Sequence, residues 1–152
     1  MQNNTINFVG TSVQTLNPSV SGDGSVVAYE DYGQTTHGVI AITDVANGGT
    51  QFINTNMQFE RNPDISADGN YVAFESSTNL TDEQIFVFDR VQQTYTDISA
   101  SLGGSARGPS ISGDGNYVVF TDVVNGENDL YVWDRASGQA TEISLARDQR
   151  FW

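Results

Sequence analysis

The chain has 152 residues and a formal net charge of −13, with 19 acidic side chains against six basic ones, all of them arginine. A nucleic-acid partner is therefore not expected, because phosphate contacts need clustered basic side chains. The chain has no cysteine, which excludes disulfides, thiol chemistry and a structural zinc site. It also lacks a run of about 18 apolar residues, so no membrane insertion is expected.

One twelve-residue stretch occurs three times and organises the sequence. The copies are Pro18–Tyr29, Pro63–Phe74 and Pro109–Phe120, and their prolines are 45 (63 − 18) and 46 (109 − 63) residues apart. A fixed period of about 40–45 residues is typical of proteins whose repeat is a four-stranded propeller blade. The sequence therefore predicts an all-β fold, a β-propeller with three four-stranded antiparallel blades in the chain.

The first predicted element precedes the first repeat. Residues 4–9 resemble the outermost strand of a blade, and they stand as far before Pro18 as residues 50–54 stand before Pro63. We therefore expect residues 1–15 to form the outer strand of an adjoining blade. The amino terminus has neither the basic nor the apolar part of a signal peptide.

Each repeat contains a Ser-x-Asp-Gly turn followed by a strand. Asp accepts a hydrogen bond from its own backbone two residues on, and Gly tolerates a positive φ, which we expect at Gly69 and Gly115. The strands after the turn, residues 26–29, 71–74 and 117–120, are continuously apolar, so both of their faces should be covered. We interpret the three turn aspartates as structural and not as a metal ring: Asp23, Asp68 and Asp114.

Two further strands complete each blade. The third strands are predicted at residues 39–42, 85–88 and 130–133, and the fourth at residues 50–54, 94–98 and 140–143. The fourth strands are more polar, which suits the outer edge of a blade. Blade 1 is then predicted at residues 16–60, blade 2 at 61–106, and blade 3 with a C-terminal strand at 107–152. Residues 146–149 echo residues 106–109 and look like the start of a fourth blade.

The repeated pattern Pro-x-[Val/Ile]-Ser-x-Asp-Gly, followed by an Ile/Leu-Tyr/Phe-Val-x-Asp strand, resembles the TolB-like branch of WD-repeat β-propellers. The resemblance covers residues 16 to about 146. It implies the propeller fold and, by analogy with family members, an extracytoplasmic location. Such repeats occur in protein-binding modules, in sugar-binding proteins and as accessory domains of peptidases, so the fold alone does not name a function.

Candidate ligand contacts lie on one face of the predicted propeller. The WD-repeat topology places the variable loops 31–38, 76–84 and 122–129 beside the start of each innermost strand, and we name this side the upper face. Arg61 and Arg107 share one repeat position there and would place two guanidinium groups at the channel mouth. Both could anchor a carboxylate or an acidic peptide. The alternative is that each pairs with a carboxylate of a neighbouring blade, such as Asp64. Further candidate contacts from the loops are Asp31, Asp82 and Glu83.

The loop at residues 122–129 is a candidate calcium site. It gathers hard oxygen ligands of the kind that calcium prefers, although their spacing fits no EF-hand. The candidate ligands are Asp122, Asn125, Glu127 and Asp129. The alternative is a solvated acidic loop, and no other cofactor is expected.

Nothing in the sequence indicates catalysis. His37 is the single histidine, there is no Gly-x-Ser-x-Gly elbow, and a Walker A site is impossible without lysine. We therefore expect a non-enzymatic scaffold that holds a protein or peptide at the channel mouth and upper-face loops. The alternatives are a glycan-binding, lectin-like module, with or without calcium, and a fragment of a larger propeller. Because three blades cannot close a ring, we also expect a homodimer with six blades.

Overall fold

The computed structural model describes residues 14–33 and 35–144, which form three four-stranded antiparallel sheets. Blade 1 consists of β1 (Thr15–Val20), β2 (Val26–Asp31), β3 (Val39–Asp44) and β4 (Thr50–Phe52). Blade 2 consists of β5 (Phe59–Ile65), β6 (Tyr71–Ser77), β7 (Gln84–Asp89) and β8 (Thr94–Asp97). Blade 3 consists of β9 (Ser105–Ile111), β10 (Tyr117–Val124), β11 (Glu127–Asp134) and β12 (Gln139–Glu142). Strands follow chain order in every blade, which confirms the predicted architecture. None of the residues described here belongs to a helix that could span a bilayer.

Each innermost strand is interrupted by a bulge at its proline. The pairing of β1, β5 and β9 with their second strands shifts register there, and the residue before the proline has a positive φ. These residues are Asn17 (φ 48°), Asn62 (φ 50°) and Gly108 (φ 64°). Proline cannot donate to the ladder and is tolerated at bulges, and Asn and Gly adopt a positive φ at low cost. The repeated proline therefore marks a bulge that recurs in each inner strand.

The hydrophobic core lies between the blades. One cluster joins blades 1 and 2 and contains Ile40, Ile42, Ile53, Val72, Phe74 and Phe88. A second cluster joins blades 2 and 3 and contains Ile85, Ile98, Val118, Phe120 and Trp133. The apolar runs predicted for the second strands thus lie in β2, β6 and β10, but Tyr117 and Val119 are exposed on the free flank of blade 3.

The Ser-x-Asp-Gly turns have the predicted geometry. Gly69 and Gly115 have φ values of 72° and 70°, which confirms their assignment to the turn. In the first turn Asp23 accepts hydrogen bonds from the Ser25 N–H (2.9 Å) and the Ser21 hydroxyl (2.8 Å). Asp68 and Asp114 accept the equivalent bonds, so all three aspartates act in turns, as interpreted.

Gly115 also makes room for a side chain of the preceding blade. A Cβ at this position would lie 2.3 Å from the Tyr71 ring. Gly48 has a similar φ of 71°, but no heavy atom lies within 4 Å of its Cβ position. The turn glycine of blade 3 is therefore required for packing as well as for its backbone conformation.

The inner strands of blades 2 and 3 begin at Phe59 and Ser105, slightly before the predicted boundaries at residues 61 and 107. The outer strand of blade 3 is β12, which supplies the predicted fourth strand. The strand predicted within residues 1–15 and the fourth-blade start at residues 146–149 lie outside the described residues, apart from residues 14 and 15.

The third upper-face loop differs from its prediction. Residues 122–129 are not a loop but the end of a long hairpin, in which Asp122 pairs directly with Asp129 across β10 and β11. Only Asn125 and Gly126 lie in the turn, with φ values of 53° and 82°. Asn-Gly is the preferred pair for a two-residue hairpin turn, and this local signal outweighs the acidic composition of the segment.

The substitution G115A is expected to destabilise the protein more than G48A. Both changes place a Cβ on a backbone with positive φ, at a cost of about 1–2 kcal/mol. G115A must also displace the Tyr71 ring, which adds roughly 1–3 kcal/mol of overpacking. Urea unfolding measures both free energies, and equal losses for the two variants would contradict the packing role of Gly115.

The turn aspartates are expected to make stability fall in acid. Hydrogen bonds from Ser25 and Ser21 lower the pKa of Asp23 to about 2, and those from Ser112 and Asn116 lower the pKa of Asp114. Because ionised carboxylates favour the folded state here, their contribution is complete above about pH 4 and is lost as pH falls toward about 2. A D23N/D114N variant should therefore be less stable at pH 7 and show a flatter stability profile between pH 4 and 2. An unchanged profile would contradict this assignment.

Candidate functional site

The inner strands line an open groove along the propeller axis. The bulges of β1, β5 and β9 lie side by side and form the walls of this groove, which has a volume of about 600 Å³. The lining consists of residues 17–19, 62–64 and 108–110, the same three repeat positions in each blade. The groove is therefore built from the repeated motif itself, and its shape depends on how neighbouring blades are held together.

Two buried glutamates hold the bulges in place. Glu30 in β2 accepts a hydrogen bond from the Asn62 N–H (2.8 Å), and Glu75 in β6 accepts one from the Gly108 N–H (2.7 Å). Each bond crosses from one blade to the inner strand of the next. Because both carboxylates are almost fully buried, these charge-assisted bonds position the groove walls firmly.

Asparagine side chains complete this arrangement in blades 1 and 2. The Asn17 amide donates to Glu30 (2.6 Å), and the Asn62 amide donates to Glu75 (2.8 Å). Blade 3 differs, because Gly108 has no side-chain amide and Thr121 stands at the repeat position of the two glutamates. The two glutamates were not predicted, although each stands one residue beyond the repeated stretch, directly after Tyr29 and Phe74.

The residue after each proline forms a second link between blades. The Ser19 hydroxyl accepts from the Ile65 N–H (3.1 Å), and Asp64 accepts from the Ile111 N–H (2.8 Å). Ser19 also donates to Asp64 (2.9 Å). Asp64 therefore serves the junctions of blade 2 on both sides, and Arg61 and Arg107 pair with a different carboxylate.

Arg61 and Arg107 are brought together at the rim of the groove by a shared carboxylate. Glu83 forms ion pairs with both guanidinium groups. It is nearly buried, whereas the side chains of Arg61 and Arg107 remain 29% and 50% exposed. This cluster of one carboxylate and two guanidinium groups has one more positive than negative group, in an otherwise acidic chain.

The remaining predicted ligand contacts have different environments. Asp82 is exposed and accepts from the Asn79 amide (2.9 Å) within the upper-face loop. Asp31 is buried and accepts from the Gly33 N–H (2.7 Å), so it holds the loop and does not face solvent. Glu83 is also buried, and its part in ligand binding would be to position the two arginines.

The candidate calcium ligands are not gathered around one point. Asp122 and Asp129 face each other in the hairpin, whereas Asn125 lies in its turn and Glu127 begins β11. Burial raises the pKa of Asp122, which the nearby Asp129 charge also raises, while the amides of Val123 and Gly104 lower it. Across residues 14–33 and 35–144, no three acidic or histidine side chains are placed to hold a metal ion.

A second cavity, which the sequence did not predict, lies between the outer parts of blades 2 and 3. It has a volume of about 350 Å³ and is lined by Tyr71, Val87, Asp89, Thr94, Thr96, Trp133, Arg135 and Gly138. The Arg135 guanidinium lies 4.1 Å from the centre of the Tyr71 ring. We name this space the rim cavity.

The rim cavity exists because two large side chains are absent from blade 3. Between blades 1 and 2 the same place is filled by Gln93, which accepts from the Gln51 amide (2.6 Å), and by Tyr95, which accepts from the Asn54 N–H (3.3 Å). Gly138 and Ala140 occupy those repeat positions in blade 3. The space left between Trp133 and the outer strand of blade 2 therefore remains open.

Comparison with solved structures supports the fold. TolB from Acinetobacter baumannii is 21% identical with a TM-score of 0.65, covering 87% of this chain and 32% of that one. The β-propeller domain of the Trilobed protease from Pyrococcus furiosus is 20% identical with a TM-score of 0.68, covering 88% and 43%. The tricorn protease is 14% identical with a TM-score of 0.70, covering 91% and 14%.

This chain thus spans less than half of each of those proteins, and at these identities the likeness concerns the fold alone. A search of curated protein sequences gave no match. The sequence does match the model of one family, the TolB β-propeller domain, over residues 2–151. The resemblance seen in the repeats is confirmed: this chain belongs to the TolB β-propeller domain family.

Proposed function

We propose that this chain is a non-enzymatic scaffold that binds a protein or peptide segment at the upper mouth of the axial groove. The observation that carries the proposal is the pair of partly exposed guanidinium groups, Arg61 and Arg107, fixed by Glu83 beside an open groove of about 600 Å³. Membership of the TolB β-propeller domain family supports it, as does the use of propeller loops for recognition.

The two arginines at the groove rim favour a ligand that carries a carboxylate. A chain with a net charge of −13 repels acidic segments in general, so a local excess of positive charge selects where such a segment can approach. Guanidinium groups bind carboxylates with two parallel hydrogen bonds, which fixes orientation as well as position. Arg107 is half exposed and would make the first contact, with the exposed Asp82 limiting the approach on the loop side.

We also propose that the binding unit is a homodimer and that it works outside the cytoplasm. Three blades leave apolar flanks on blades 1 and 3, and propellers typically have about 4–8 blades, which two copies would supply. The extracytoplasmic location rests on family resemblance.

The role of Arg61 and Arg107 can be tested with labelled acidic, neutral and basic peptides of equal length. We expect acidic peptides to bind best and R107A to weaken that binding roughly tenfold or more, because hydrogen bonds between charged groups contribute about 1.5–3 kcal/mol. E83Q should also weaken binding, because the two guanidinium groups lose the carboxylate that holds them beside the groove. Equal binding of all three peptides, or unchanged binding by R107A in a folded variant, would contradict the proposal.

A glycan-binding module is the second candidate, and the rim cavity is the observation that favours it. Its lining combines the aromatic rings of Tyr71 and Trp133 with the carboxylate of Asp89 and the guanidinium of Arg135. Aromatic surface and a few convergent polar groups are the usual composition of a small-molecule site. Calcium has no place in this proposal, because its candidate ligands lie on the blade 3 hairpin and not in the cavity lining.

Filling the rim cavity tests the glycan proposal directly. The variant A140Y places in blade 3 the side chain that fills the space between blades 1 and 2, so it is expected to abolish binding on a glycan array while preserving the fold. Acidic-peptide binding at the groove should not change, which separates the two candidates. Glycan binding that survives A140Y, or the absence of glycan binding by the parent protein, would exclude the rim cavity as a glycan site.

A further inference from the structure

We infer that two copies of this chain join head to tail, with blade 3 of each packing on blade 1 of the other as neighbouring blades pack within the chain. The inference rests on the proposed homodimer and specifies its contact surface. It also makes the axial groove complete, because three of the six bulges around the axis would come from the partner.

The free flank of blade 3 has the residues of an internal junction. Its exposed apolar side chains include Tyr117 (50%), Leu130 (39%) and Ile143 (50%). The residues at the same repeat positions in blade 2 are Tyr71, Ile85 and Ile98, and all three lie in the cluster between blades 2 and 3. What covers them there is the apolar face of the following blade, so the blade 3 flank lacks only its next blade.

The free flank of blade 1 is the matching surface. Val20 is 57% exposed, although Ile65, at the same repeat position in blade 2, is 6% exposed in the junction with blade 1. Beside it, residues 15, 16, 18, 27 and 29 line an unfilled cavity of about 170 Å³. The two flanks therefore correspond to the two sides of one junction.

Backbone hydrogen bonds between the turns point to the same contact. The Gly22 N–H donates to the Ala67 carbonyl (2.8 Å), and the Ala67 N–H donates to the Gly113 carbonyl (2.9 Å). The series continues if the Gly113 N–H donates to the Gly22 carbonyl of a second copy. The close approach suits small residues, because a Cβ on Gly22 would lie 3.0 Å from the Cβ of Ala67.

The links beside the prolines can be extended in the same way. Ile65 and Ile111 donate from their backbone N–H groups to Ser19 and Asp64 of the preceding blade. Ser110 holds the corresponding acceptor position in blade 3 and is exposed, and Val20 holds the corresponding donor position in blade 1. Both open ends therefore have complementary polar groups at the positions that already join blades 1 to 2 and 2 to 3.

A second copy fits these ends better than an unrelated protein. A head-to-tail contact between identical chains forms a closed ring when the rotation closes, and two arcs of three blades give six, within the range of about 4–8 known for propellers. Charge opposes the assembly, because each copy carries −13. The dimer should therefore become tighter as ionic strength rises.

The junction between copies lacks one element of the internal junctions. Glu30 and Glu75 each reach the bulge of the next blade, whereas blade 3 has Thr121 at that position and Gly108 in place of the asparagine. The double substitution G108N/T121E would copy the pattern of blade 2. Gly108 can accept asparagine, because its φ of 64° resembles that of Asn62 and nothing lies within 4 Å of its Cβ position.

Light scattering coupled to gel filtration tests the inference with three variants. The parent protein should have a mass of about 33 kDa, twice the 16.5 kDa of one chain. L130D, on the blade 3 flank, should shift the mass to that of one chain, whereas L80D, on an exposed upper-face loop, should leave it unchanged. G108N/T121E should lower the dissociation constant roughly tenfold, the effect of one added charge-assisted hydrogen bond.

The outcomes separate this contact surface from the proposed function. A parent mass of 16.5 kDa at micromolar concentration would overturn both the homodimer and the head-to-tail contact, while peptide binding by that monomer would leave the scaffold function standing. A dimer that L130D leaves intact, or that G108N/T121E does not tighten, would show that the copies meet elsewhere. Because G108N/T121E is a gain of affinity, its result does not depend on L130D folding.

Discussion

A blade with apolar side chains on both faces is stabilised by packing those faces against neighbouring blades. This packing explains why both hydrophobic clusters lie at junctions and not within a sheet. It also explains why the polar groups that cross a junction come from repeated positions, since each blade must meet the next in the same way. The groove at the axis is a consequence of this order, because its walls are three bulges that neighbouring blades hold in register.

The repeat was sufficient to predict the architecture. A period of 45 and 46 residues, the Asp-Gly turns and the apolar second strands led to three four-stranded blades, and each of these features is a local property of the chain. The hairpin of blade 3 differs from its prediction because the Asn125-Gly126 pair forms a two-residue turn within a segment of acidic composition. In that case a two-residue signal determined the backbone, and composition did not.

The site could be predicted only in part. The shared repeat position of Arg61 and Arg107 correctly indicated that they lie close together, but their partner is Glu83 and not Asp64. Which carboxylate meets an arginine depends on how loops of one blade reach the next, and no period in the sequence encodes that reach. The rim cavity could not be predicted for a similar reason. It arises because Gly138 and Ala140 stand where blade 2 has the larger side chains of Gln93 and Tyr95.

The hydrogen-bond partners of the buried acidic side chains follow from the small number of basic residues. With six arginines against 19 carboxylates, most acidic side chains cannot be paired with a basic one. Glu30 and Glu75 instead accept hydrogen bonds from backbone N–H groups and asparagine amides, which are available wherever a bulge frees a donor. Arg61 and Arg107 are thereby left for the groove rim, and Arg135 for a junction, where it lies over the Tyr71 ring.

The contact between Gly115 and Tyr71 couples two repeats that are distant in sequence. The turn glycine of one blade is fitted to the first residue of the second strand in the blade before it, and Gly69 stands in the same relation to Val26. A side chain at Gly115 would have to be accompanied by a smaller residue than tyrosine in the preceding blade, whereas the space beside Gly69 is less tight. The blades of this chain are thus not freely exchangeable modules, because positions 71 and 115, which lie in successive blades, must change together.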